Sequence, residues 1–138
     1  MHVSSCKINK VKIISKKIKG DGIGSREVVP TINLIVPQDL PSILERGIYA
    51  AWCKIGKKNY KTALHFGPRP TYKKSYDTLE LYILDKYKAN SKVENGEIEV
   101  EIVKKIRNIL DFNTSSELRA QIVKDVQDIE KILRNMTI

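Results

Sequence analysis

The chain changes its hydrophobic period once, and that change limits what it can fold into. Over residues 97–106, Ile98, Val100 and Ile102 alternate with Glu97, Glu99 and Glu101, the period of two that a half-buried strand requires. Further on, Leu118, Ile122, Val126, Ile129, Leu133 and Met136 recur at spacings of three and four, the apolar stripe of an amphipathic helix. Thr114, Ser115, Ser116 and Glu117 stand just before that stripe and fit a capping box, in which the Thr and Glu side chains satisfy the first free N–H groups of a helix. The pattern predicts strands as far as residue 106, then one helix over about 114–135 that lays its stripe on the sheet.

Upstream, glycine and proline divide the chain into short apolar runs. Residues 11–18 (VKIISKKI), 31–36, 48–55, 60–66 and 78–84 read as strands. Gly56, Lys57, Lys58 and Asn59 supply turn chemistry, so the strands on either side should form a hairpin. A loop over 37–41 leads to Pro41, which opens a short turn as far as Arg46. Pro68 and Pro70 break the ladder after residue 66, because neither can donate a backbone hydrogen bond. Residues 86–96 are polar and read as a loop. Six short strands followed by a helix predict a mainly β fold, a closed or partly closed antiparallel barrel with the helix beside it.

At 138 residues the chain is expected to form one domain, 1–138, with the barrel over about 8–107. No apolar run approaches the ~18 residues of a membrane span, and the lysine-rich start lacks the apolar segment of a secretory signal. A cytoplasmic protein without a membrane partner is expected, with Cys6 and Cys53 as reduced thiols. The net charge of +9 admits an anionic partner. Lys7, Lys10, Lys12, Lys16, Lys17 and Lys19 lie in a stretch without an acidic residue. A solvated strand face, attraction of nucleotide phosphates and nucleic-acid binding all fit that cluster. Nucleic acid is the least favoured, because no aromatic residue interleaves these lysines to stack on bases.

One stretch carries a chemical pattern. Gly20, Gly22 and Gly24 alternate in a loop, and Pro30 then leads into Thr31, Ile32, Asn33 and Leu34. In a strand Thr31 and Asn33 share a face, their side chains roughly 6–7 Å apart, and Ile32 points the other way into a core. A hydroxyl and an amide carbonyl on one face can hold a hard cation such as Mg²⁺ beside a phosphate. They can equally be the wet face of an ordinary strand. The glycines are neither a Rossmann fingerprint nor a Walker loop, because both of those open a helix.

Gly20-Asp21-Gly22-Ile23-Gly24 followed by Pro30-Thr31-Ile32-Asn33-Leu34 resembles the riboflavin kinase (flavokinase) family, marked by a glycine loop and then Pro-Thr-x-Asn. Further matches follow in the family's order: Gly47-Ile48-Tyr49-Ala50, then Phe66-Gly67-Pro68-Arg69-Pro70-Thr71-Tyr72, then Leu79-Glu80-Leu81-Tyr82-Ile83-Leu84-Asp85. Ile106 and Arg107 come last, with Phe112, Glu117, Leu118, Gln121, Ile122 and Asp125. The likeness runs over about residues 11–133, and the chain resembles the kinase domain of the bacterial bifunctional enzymes without their adenylyltransferase domain. It implies a six-stranded antiparallel Greek-key barrel with a C-terminal helix, and the reaction of ATP with riboflavin to give FMN.

The resemblance also implies roles. Gly20, Gly22 and Gly24 would cradle the nucleotide phosphates, with Thr31 and Asn33 binding the nucleotide and its Mg²⁺. Glu80 falls on the family's catalytic glutamate and would accept the proton of the ribityl 5′-hydroxyl. Arg107 and Phe112 match the stretch near the flavin, and Arg69 lies in a loop near the site. His65 reads only as a strand histidine. The expected partners are riboflavin and ATP, and the expected state is a monomer. Nothing resembles the adenylyltransferase domain that makes FAD, so FAD synthesis is not expected. The run Ser25-Arg26-Glu27-Val28-Val29 departs from the family, with the arginine shifted, a glycine lost and Glu27 added near the phosphates. That departure supports a second reading, a drifted module that binds flavin or nucleotide without turnover.

Overall fold

In the computed structural model, which describes residues 11–18, 31–68, 76–85 and 96–136, the period-two segments form six strands. These are β1 (Val11–Lys16), β2 (Thr31–Leu34), β3 (Gly47–Ile55), β4 (Lys58–Gly67), β5 (Thr78–Ile83) and β6 (Glu97–Arg107). All pair antiparallel in the order β1-β6-β3-β4-β5-β2. Within that order β6-β3-β4-β5 is a Greek key: three hairpin-connected strands, with the last strand returning beside the first. The sheet curls until its outer strands touch. Lys17 bridges Leu34. Ile18 N–H donates to the Asn33 carbonyl at 2.8 Å, and Ile35 N–H to that of Lys16 at 2.9 Å. The Ser15 hydroxyl adds a bond to the Ile35 carbonyl. Joining the edges in this way occupies backbone groups that an open edge strand would expose.

Strand alternation sorts the side chains. Ile32, Leu34, Leu64, Leu79, Leu81, Ile98 and Val100 fill the inside of the curl, and the short helix α1 (Leu40–Ile43) adds Leu40 to the same core. The β3–β4 hairpin is tighter than its four turn-forming residues suggested. Ile55 pairs with Lys58, leaving a two-residue turn with Gly56 at φ +63°, a backbone region open to glycine at little cost.

The outer face is set by small residues and by bulges. Ala50 and Ala63 are directly opposed on β3 and β4, and on them rest Ile129 and Leu133 of α2 (Ser115–Met136). Alternation along β6 fails after Ile102. Ala51 pairs with Ile102 but Ala50 with Lys104, and the register shifts again before Arg107. Such bulges place two residues opposite one and change which face the chain presents. Ile106, which unbroken alternation would send inward with Ile98, Val100 and Ile102, consequently packs under the helix beside Val103.

The helix is capped much as its sequence predicts. Glu117 N–H donates to Thr114 Oγ1 at 3.1 Å, but Glu117 Oε1 accepts from the N–H of Asn113 at 3.0 Å rather than from that of Thr114. Of the expected apolar stripe, Ile129 and Leu133 are fully buried, whereas Leu118, Ile122 and Val126 are half-buried. A salt bridge of 3.0 Å from Lys61 to Glu130 also ties α2 to β4. No described helix is long and apolar enough to cross a membrane. Cys53 is a free, buried thiol whose pKa burial pushes up to about 12; Cys6 lies outside the described residues.

Candidate active site

Register brings the chemical residues of β2 and β5 together on the outer face. On β2, Ile32 and Leu34 point inward while Thr31 and Asn33 are half-buried on the other side. On β5, Leu79, Leu81 and Ile83 point inward, which turns Thr78, Glu80 and Tyr82 outward. The β2–β5 ladder then opposes Asn33 to Glu80 and Thr31 to Tyr82. Directly opposed antiparallel residues have Cβ atoms about 4.5–5.5 Å apart, so a hydroxyl, an amide, a carboxylate and a phenol meet in one patch.

The row through Glu80 continues across the sheet. Glu80 opposes His65 on β4, His65 opposes Ile48 on β3, and Ile48 opposes Arg107 on β6. A parallel row runs Thr31, Tyr82, Ala63, Ala50. The second row carries the helix, and the first lies beside it. Tyr82 belongs to both settings. Its ring packs in the apolar cluster under α2, and its hydroxyl donates to Glu80 Oε1 at 2.9 Å.

Glu80 is 5% exposed, unusual for a glutamate, a residue rarely buried without a partner. A carboxylate so placed and oriented by a tyrosine can accept a proton or hydrogen bond from a hydroxyl brought to this face. Thr31 and Asn33 offer neutral oxygen donors across from it, a donor set that suits a hard divalent cation retaining water and phosphate oxygens. Among the described residues no group of three or more His, Cys, Asp or Glu side chains is arranged to hold a metal.

Arg107 closes the far end of the row. Its Nη2 donates to Asp125 Oδ2 at 2.7 Å, its Nε reaches both carboxylate oxygens at 3.0 and 3.1 Å, and its Nη1 donates to the Asn108 carbonyl at 3.0 Å. The guanidinium lies 5.9 Å from the centroid of the Phe112 ring, within cation–π range. Gln121 Nε2 gives Asp125 a further bond at 3.0 Å. Arg107 and Phe112 therefore form one unit joining the end of β6 to the first turns of α2.

A riboflavin kinase (flavokinase) family profile matches residues 8–133. The chain belongs to the riboflavin kinase family. It is 31% identical over 123 residues to a bifunctional riboflavin kinase/FMN adenylyltransferase of Buchnera aphidicola subsp. Schizaphis graminum, an alignment covering 86% of this chain and 38% of that protein. It is 28% identical over 138 positions to the riboflavin kinase of Meyerozyma guilliermondii, covering 78% of this chain and 75% of that one. The chain thus spans well under half of the bifunctional relative. The crystal structure of riboflavin kinase from Trypanosoma brucei superimposes with a TM-score of 0.61 at 21% identity, over 89% of this chain and 79% of that one, a likeness of fold.

In riboflavin kinase terms, the described residues bring Thr31, Asn33 and Glu80 together and hold Arg107 with Phe112 at the other end of the same row. Gly20, Gly22, Gly24 and Arg69 lie outside the described residues. Sequence reasoning passed over His65. It is 7% exposed and stands between Glu80 and Ile48, and neither ring nitrogen has a hydrogen-bond partner among the described residues. Leaving a buried polar group unsatisfied costs about 1–3 kcal/mol. Burial lowers the imidazole pKa below its ordinary value; the Glu80 charge and the local backbone oppose this and Arg107 reinforces it. The available signal was parity, since His65 falls on the outward set of β4 with Ala63.

Proposed function

We propose that this chain transfers the γ-phosphoryl group of ATP to the ribityl 5′-hydroxyl of riboflavin, giving FMN and ADP. The observation that carries the reading is the β2–β5 register, which opposes Asn33 to Glu80 and Thr31 to Tyr82 on one outer face. In this reading Glu80 receives the proton of the attacking hydroxyl, and Tyr82 holds the carboxylate in one orientation. Thr31 and Asn33 bind the nucleotide phosphates together with Mg²⁺, which when bound neutralises phosphate charge. Gly20, Gly22 and Gly24 cradle those phosphates, Arg107 and Phe112 wall the flavin side, and Arg69 lies in a loop near the site. The half-buried apolar and aromatic side chains Ile106, Ile109 and Phe112 around the end of β6 support a flat acceptor there. The reading extends to one domain acting as a monomer in the cytoplasm on these small molecules.

The test is to incubate the purified protein with riboflavin, ATP and MgCl₂ and to separate the flavins by chromatography. FMN that appears only with all three supports the kinase. Riboflavin binding without FMN supports the drifted module instead.

The two faces of β2 give a paired prediction. Asn33→Ala removes one oxygen donor to a charged partner, a contact worth about 1.5–3 kcal/mol. It should raise the KM for Mg-ATP roughly tenfold to hundredfold and leave riboflavin binding in place. Ile32→Ala, at a side chain 2% exposed, should instead cost about 2–5 kcal/mol of stability. Steady-state kinetics and thermal melts on both variants check the assignment, which is wrong if the two phenotypes are exchanged.

A further inference from the structure

Among the described residues, His65 is the buried polar side chain on the outer face whose ring nitrogens find no hydrogen-bond partner. Its cross-strand neighbour on one side is Glu80, on the other Ile48. Ile48 offers no polar side chain, so of the two cross-strand neighbours only Glu80 presents one; the backbone of His65 and Pro68 lies near the ring without meeting either nitrogen in hydrogen-bond geometry. Buried polar groups in native proteins are nearly all satisfied, and each exception calls for an explanation such as a functional role. His65 and Glu80 are directly opposed, with Cβ atoms about 4.5–5.5 Å apart, so a hydroxyl brought to Glu80 arrives beside His65.

We propose that His65 is a specificity-determining residue of this site, hydrogen-bonding the hydroxyl-bearing chain of the acceptor beside the hydroxyl that Glu80 engages. The inference rests on the kinase reading of the face and deepens it. A neutral imidazole carries one donor and one acceptor, which matches a secondary alcohol, itself both donor and acceptor. Ala63, next outward along β4, and Ile48 opposite supply only apolar surface, so among these neighbours the polyol preference falls to His65. A site built to pair a substrate hydroxyl rejects the analogue lacking it, because the protein group is then left buried and unpaired. Stability and function should therefore separate at this residue.

The experiment compares wild type, His65→Leu and His65→Asn, using riboflavin and a flavin whose side chain ends in a primary alcohol but lacks the neighbouring secondary hydroxyls. Wild type should prefer riboflavin strongly. His65→Leu should melt no lower than wild type, raise the KM for riboflavin about tenfold or more with the KM for ATP unchanged, and lose most of the preference. His65→Asn, which retains a donor and an acceptor, should recover part of it. Should His65→Leu fail to fold, the wild-type protein still decides the matter: on titration with riboflavin, the ring proton signals of His65 should shift and then saturate. Riboflavin turnover by wild type, with His65→Leu matching its KM and preference or with riboflavin leaving the His65 signals unmoved, overturns this inference alone. A wild type that neither binds nor phosphorylates riboflavin overturns the kinase reading and this inference with it.

Discussion

Glu80→Gln is expected to lower the turnover of riboflavin by about 10²–10⁴, the usual contribution of a positioned general base, while riboflavin still binds and the protein melts near the wild-type temperature. The argument rests on how little else the substitution changes. The side chain keeps its length, and its amide oxygen can still accept from the Tyr82 hydroxyl, which now bonds Glu80 Oε1 at 2.9 Å. What it loses is the charge and the capacity to take a proton from an attacking alcohol. A glutamate that served only as a strand residue would respond differently, because substitutions away from special features usually stay within about ±0.5 kcal/mol. The measurement is single-turnover FMN formation beside riboflavin binding and a thermal melt. FMN formation at the wild-type rate would remove Glu80 from the chemistry and leave positioning and phosphate electrostatics to carry the transfer.

Arg107→Met is expected to destabilise the chain by about 3–5 kcal/mol, because it strands a buried carboxylate. Asp125 has a side chain 7% exposed against 17% for Arg107. Three of the four hydrogen bonds that its carboxylate accepts come from that guanidinium, with Gln121 giving the fourth. The pair joins the end of β6 to α2, so its loss should be felt where helix meets sheet. For a chain of this size the melting temperature should fall by roughly 10 °C. The double variant Arg107→Met, Asp125→Leu should recover most of the loss, since replacing both partners of a buried ion pair by apolar groups is often neutral or stabilising. Equal destabilisation in the single and double variants would show that Arg107 acts through packing on Phe112 rather than through Asp125.

The two variants separate chemistry from architecture along one row of the sheet. The first strikes the end where Asn33 and Glu80 meet; the second strikes the end where the sheet is fastened to the helix. His65 stands between them, which is why a test there has to read substrate preference as well as stability.

Much of the fold was legible because its signals are local. Alternation in residues 97–102, the turn at Gly56 and the Thr114–Glu117 cap each act within a few positions along the chain. Strand parity alone put Thr31 with Asn33 on one side of their strand and Glu80 with Tyr82 on one side of theirs, since successive side chains of a strand point to opposite sides. The family resemblance singled out Glu80. The parity of His65 was visible too, but a histidine on the outward set of a strand says nothing about what lies across from it.

What local signals cannot carry is which strands become neighbours and in what register. A hydrophobic pattern selects the buried face; the partner across the ladder follows from hydrogen bonds between segments far apart in sequence. Only the assembled sheet opposes Asn33 to Glu80 and Glu80 to His65. The bulges in β6 belong to the same class. Alternation predicts an inward or outward sense for every residue of a strand, but the register shifts beside Ala50 and Ile48 reset it. Ile106 is thereby turned under the helix, and it is the packing of that helix on the sheet that brings Asp125 to Arg107. Six strands, a terminal helix and the facing of side chains along the regular strands follow from neighbours in the chain. That a carboxylate, an amide and a buried imidazole share one row follows from neighbours in space.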